Sequence, residues 1–366
     1  MPKQTSDIFV PGGPAIEFTK SGQKWKIEKD VDVGSNGSTI FSAFTDSTLV
    51  NKGYVYSYSA SGAWFTKNNA TFINKETGLI NGGSIGVLFT SELATDVEGS
   101  VENYGKILGV NAGIYNTAMG DFTVENYGEI YGYYNGIYSF VSNVGSTAGP
   151  VIKNFSSIKS DEFGVQALSG SSLRTKIVNK KDGVIEGGKA AVLNANGDMK
   201  LVNKGKLKGD VSTENANENT VINTGKIKGD VRLGFEDDKL DNRNGEVTGY
   251  IYGAAGKDKL IAGDKKEKFV FDNPVGFDRV KNFESGKDKF FLDQTAFTSL
   301  VLGPLEKSAF RRGTEAEDGD DRIIYDKDTG KLYIDSNGNA GGGQVQFAKV
   351  DSGQTLKYSD FTVDVF

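Results

Sequence analysis

The chemistry available to this chain begins with carboxylates set among glycines. Gly253-Ala254-Ala255-Gly256-Lys257-Asp258-Lys259-Leu260-Ile261 forms a nine-residue unit, followed directly by Ala262-Gly263-Asp264-Lys265-Lys266-Glu267-Lys268-Phe269-Val270. A poorer copy, Leu233-Gly234-Phe235-Glu236-Asp237-Asp238-Lys239-Leu240-Asp241, precedes them. In such units glycines let a turn expose backbone carbonyls, the sixth residue supplies a carboxylate and the eighth enters the core. Oxygen donors of both kinds suit a hard cation, so the spacing predicts Ca²⁺ bridging neighbouring turns. Asp258 is the first candidate ligand, with Asp238, Glu267, Asp237, Gly256 and Gly253 behind it. The pattern is degraded: Ala254 stands for a glycine and Glu267 for an aspartate. A metal-free solenoid end with polar corners suits the same residues.

Other chemistries are narrowed by what is missing. The 366 residues include no Cys and no His. Disulfides, zinc thiolates and thiol nucleophiles are therefore excluded, as are serine triads and metalloprotease helices of the usual kinds. The net charge of −6, with both signs interspersed, argues against a nucleic-acid partner. No stretch is long and apolar enough for a transmembrane segment, and Met1-Pro2-Lys3-Gln4-Thr5-Ser6-Asp7 does not read as a secretory leader. Two further acidic clusters, Asp326-Lys327-Asp328-Thr329-Gly330 and Asp335-Ser336-Asn337-Gly338-Asn339, lack the distal Glu of a calcium loop and read as hairpin turns. Glu315 to Asp321 reads as an acidic surface loop.

The elements that must hold these residues announce themselves by repetition. Asn recurs at 51, 74, 103, 126, 154, 179, 203 and 223, with intervals of 20 to 29 residues. Two residues before each stands an apolar side chain: Leu49, Phe72, Val101, Val124, Ile152, Ile177, Leu201 and Val221. Val55, Ile107, Ile130, Ile158, Leu207 and Ile227 follow four residues after it. This is strand, corner, strand with period-two side chains, and one repeat suits one turn of a parallel β-solenoid. The Asn is expected to bond the bend and its counterparts above and below. The Gly behind it (Gly53, Gly105, Gly128, Gly205, Gly225) is expected to permit the bend, with Gly109, Gly132, Gly209 and Gly229 at the next corner. The expected fold is all-β: a right-handed parallel β-solenoid over residues 1–232, a calcium β-roll over 233–270 and a β-rich C-terminal cap over 271–366.

Beyond the roll, Phe277-Asp278-Arg279-Val280, Gly286-Lys287-Asp288-Lys289-Phe290-Phe291-Leu292, Arg322 to Asp335 and the terminal Asp364-Val365-Phe366 follow in order. From Gly253 to Phe366 the chain resembles the C-terminal region of RTX proteins exported by type I secretion, as in serralysin-type proteases and haemolysin-type calcium-binding proteins. The resemblance implies calcium binding, a type I exporter as partner, an uncleaved C-terminal signal and an extracellular site outside a Gram-negative cell. It does not carry over protease activity, because the zinc-binding histidines are missing. The expected function is a non-enzymatic surface, matrix or adhesion protein with a polysaccharide or cell-surface partner. The alternative is a polysaccharide lyase or epimerase, since such enzymes also use parallel β-helices. Two tyrosine rows offer a surface: Tyr54, Tyr56 and Tyr58, then Tyr104, Tyr115, Tyr127, Tyr131, Tyr133, Tyr134 and Tyr138. They suit stacking on sugars or on one another. The lysines at 204, 206, 208, 226 and 228 read as solubilising charges on a strand face.

Overall fold

The computed structural model describes every residue except 91–97, 118–119, 142–147, 171, 214–216 and 275. It is a β-solenoid of about 11 turns with parallel sheets and 2% helix. The chain divides into two compact units, Met1–Val211 and Ser212–Phe366.

In the first unit a coil contains three strands. Phe122–Asn126, Glu129–Gly132 and Asn135–Val141 make one such coil. Each strand pairs in parallel with its equivalent one coil away, for example Val101 with Val124 and Ile107 with Ile130. Burial alternates along the strands, so Phe122, Val124 and Asn126 point inward while Thr123 and Glu125 face out. Leu49, Phe72, Val124, Ile152, Ile177 and Leu201 are fully buried. Each such side chain contributes about 1.5–3 kcal/mol through removal from water. Short strands, Lys3–Gln4, Ile8–Val10 and Ile16–Glu17, close the first end among Pro2, Pro11 and Pro14.

The expected asparagine stack is present. Asn51, Asn74, Asn103, Asn126, Asn154, Asn179 and Asn203 run side chain to side chain, each Nδ2 donating to the next Oδ1 at 2.8–2.9 Å. The glycine at this corner has a different reason from the one expected. Gly105 and Gly128 do not have positive φ. A Cβ there would instead lie 2.1 Å from the carbonyl oxygen of the glycine one coil back. Close approach of stacked backbones, and not left-handed geometry, demands glycine.

The second unit is built from shorter strands. Asn219–Asn223, Lys239–Asp241, Lys259–Ile261 and Asp278–Lys281 stack in parallel. On the other sheet Ile251–Tyr252, Lys268–Phe271, Lys289–Asp293 and Phe361–Asp364 do the same. Parallel stacking then gives way to an antiparallel meander of Ile323–Asp326, Lys331–Asp335 and Gln344–Lys349. Its two turns are the sites of the acidic clusters read as hairpins, and Asp326 accepts the backbone N–H of Asp328 at 3.0 Å. Aromatic rings fill the core beneath, with Phe283 and Phe290 stacked at 4.1 Å and Phe347 edge-on to Phe271 and Phe297.

Candidate metal centre

Period and register bring the acidic residues together. Coils here repeat every 20 residues, which superposes Asp238, Asp258 and Asp278 at the start of the strands Lys239–Asp241, Lys259–Ile261 and Asp278–Lys281. The backbone N–H of Asp238 donates to Asp258 Oδ1 at 2.8 Å, and that of Asp258 to Asp278 Oδ1 at 3.0 Å. Asp238 itself accepts from the N–H of Asn219 and of Gly234, at 2.5 and 2.7 Å. Each carboxylate thus hangs from the coil before it. Asp258 Oδ2 is buried and receives no hydrogen bond from an N–H or hydroxyl donor; the Asp258 carboxyl pairs instead with that of Asp278. It lies against Gly253: a Cβ on that glycine would be 2.5 Å from Asp258 Oδ2 and 2.7 Å from Asp278 Oδ2. Both oxygens therefore converge on the space that glycine leaves.

Burial pushes Asp258 and Asp278 above the usual carboxylate range, and the charge of Asp278 raises Asp258 further. Burial likewise pushes Asp238 up to about 6, against the pull of its two backbone donors. A low-dielectric interior disfavours charge unless a proton or cation compensates it.

The remaining candidates separate from this pair. Glu267 stands at the far end of the same strands, in line with the asparagines. Asn223 Nδ2 donates to Asn242 Oδ1 at 2.7 Å, and Asn242 Nδ2 donates in turn to Glu267 Oε1. Gly263 N–H also bonds Glu267, whose own N–H donates to Asp288 Oδ1 at 3.0 Å. Burial pushes Glu267 up to about 7. Asp237 is exposed and accepts the N–H of Lys257 at 2.9 Å. Gly256 has φ +129° and turns its carbonyl toward Gly276 of the next coil. Ala254, in place of the template's second glycine, takes φ +66°. Asp278 and Asp288 were not among the sequence candidates. The 20-residue interval from Asp238 through Asp258 to Asp278 was the available signal, hidden because the nine-residue template ends before Asp278.

All ligand atoms at Asp258 and Asp278 are oxygen, the chemistry Ca²⁺ prefers, but two carboxylate oxygens fall short of its usual six to eight ligands. Among the described residues no group of three or more carboxylates is placed to hold one metal ion. Buried carboxylates are nevertheless segregated. Asp238, Asp241, Asp258, Glu267, Asp278, Asp288, Asp293, Asp321, Asp335 and Asp360 all lie in the second unit. The buried polar side chains described in the first unit are Ser, Thr and Asn.

The tyrosine rows of the first unit divide into two kinds. Tyr104, Tyr127 and Phe155 stack face to face at 4.9 and 4.3 Å, and Lys75 and Lys180 sit over the end rings. Tyr115 and Tyr138 stack at 4.4 Å. These rings spend their faces on one another as a structural ladder. Phe9, Tyr58, Tyr133 and Tyr134 are instead 46–68% exposed. No protein-family model matches the chain, and no curated protein matches it significantly.

Proposed function

We propose that this chain is an exported, non-catalytic β-solenoid protein whose second unit is ordered by calcium, and that it serves as a surface or matrix component. The observation that carries the reading is the buried carboxyl pair of Asp258 and Asp278 beneath Gly253, where Asp258 Oδ2 receives no N–H or hydroxyl donor. A cation held by these two carboxylates, with turn carbonyls or water completing its shell, would neutralise a charge that the interior otherwise disfavours. Its role would be structural: it would join successive coils and add its binding free energy to folding.

Export is supported by the motif order from Gly253 to Phe366 that resembles RTX proteins. Phe361–Asp364 is a sheet strand, and Phe366 packs at 5.2–6.0 Å against Tyr250, Tyr252 and Phe291. A signal in this segment would be legible only before the unit folds. Scarce calcium inside the cell would keep the unit loose, and calcium outside would order it.

Calorimetric titration of the full chain with CaCl₂ tests the metal, with Asp258→Ala and the exposed Asp237→Ala side by side. Saturable heat in wild type and D237A, lost in D258A, is the expected result. Equal heat in D258A, or none in wild type, would sink the calcium reading. Removal of the last dozen residues should trap the chain inside cells carrying a type I exporter, and appearance of the truncated chain in the medium would refute the export reading.

A further inference from the structure

A cavity of about 310 Å³ in the second unit is lined by Ser212, Arg232, Leu233, Phe235, Tyr252 and Asp272. Gly234 and Ala254 complete the lining, so the cavity borders the acidic column, where Asp238 accepts the Gly234 N–H. The Arg232 guanidinium lies over the Tyr252 ring, 3.6 Å from its centroid. Tyr252 is 2% exposed and is backed by Tyr250 and Phe366, so the platform under the guanidinium is fixed. The ion pair between Arg232 and Asp230 is long, at 3.6 Å, and the Arg232 side chain is 46% exposed, so guanidinium N–H groups stay accessible beside its hydrogen bond to Tyr252. Phe235 is 61% exposed at the rim. Asp272 is half-buried, and among the described residues its carboxyl accepts no hydrogen bond from another side chain.

We propose that this cavity binds a hexuronate, a sugar ring bearing a carboxylate. The volume falls at the small end of ligand sites, with apolar walls and a few convergent polar groups. A pre-positioned guanidinium fork matches a carboxylate with two parallel hydrogen bonds. The free face of Phe235 suits the C–H face of a pyranose ring. Asp272 and the Ser212 hydroxyl then meet ring hydroxyls. An amino acid also pairs a carboxylate with a donor, and phenylalanine stands for that class in the test. Hydroxyls can donate to a carboxylate and accept from a carboxylic acid, so a sugar ring suits Asp272 in either state.

Saturation-transfer NMR of the full chain with galacturonate, galactose and phenylalanine tests the assignment. Galacturonate should bind saturably and galactose at least about tenfold more weakly, the factor expected for loss of one charge-assisted pair. Arg232→Gln should abolish that difference, and Phe235→Ala, a change at an exposed rim, should weaken galacturonate severalfold with an unchanged melting curve. Equal affinity for galactose and galacturonate, unaltered binding in folded R232Q, or no saturable binding of galacturonate would overturn the proposal. Binding of phenylalanine alone would overturn it in favour of an amino-acid site.

Discussion

Asn126 shows how much one side chain does in a stack. It accepts from Asn103 at 2.8 Å and donates to Asn154 Oδ1 and to the carbonyl of Ser157. Asn126→Ala leaves buried groups unpaired on both neighbouring coils, and about 2–5 kcal/mol of stability should be lost, measured by denaturant unfolding. Asn51 ends the row and has an amide neighbour, Asn74, on one side only, so Asn51→Ala should cost less. Equal losses would mean that the amides act independently of the ladder. Ala254 offers the opposite test. Its φ of +66° is one that a Cβ disfavours by about 1–2 kcal/mol, so Ala254→Gly should stabilise the second unit, offset in part by glycine's greater unfolded-state freedom.

At the scale of the strand, Arg174–Asn179 separates inside from outside within one residue. Ile177 is fully buried and Lys176 is exposed. Ile177→Asp should unfold the first unit, since an unpaired buried carboxylate costs several kcal/mol, whereas Lys176→Asp should change stability by less than about 0.5 kcal/mol. Circular dichroism melts of the two variants make the comparison. The inside–outside alternation was legible from the residues, because side chains in a strand must alternate. The identity of the third strand, such as Asn135–Val141, was less so. Its Ile137 and Val141 point inward, but segments of varying length separate it from the next asparagine.

For the whole chain, the segregation of buried carboxylates predicts two responses to solution conditions. Glu267 is pushed up to about 7 and Asp238 to about 6 in the folded state, above their ordinary values. Between the unfolded and folded values the folded unit binds more protons, so stability must fall as pH rises through that interval. In chelator, the second unit should melt at a lower temperature at pH 8 than at pH 5. The first unit, whose described buried polar groups are neutral, should not move. On the calcium reading, added Ca²⁺ should restore the pH 8 transition, because a ligand of the folded state shifts the balance toward it. Scanning calorimetry at both pH values, with and without Ca²⁺, measures this. A first-unit transition that follows pH as closely as the second would contradict this division of buried charge.

The residues alone determined the solenoid. An apolar side chain two positions before an asparagine, repeated eight times, has few ways to be buried except by stacking, and stacking imposes parallel register. They also singled out Asp258, because a carboxylate at a fixed place in a glycine turn is a local pattern. Which carboxylates share a column is not local. Asp278 meets Asp258, and Glu267 joins the asparagines, because coil length sets which residues superpose. The reason for glycine at the corner was equally hidden, since the carbonyl that excludes a Cβ at Gly128 belongs to Gly105, a full coil away. The tertiary structure alone decided these points, because a contact between coils depends on the summed length of every strand and corner between its two residues.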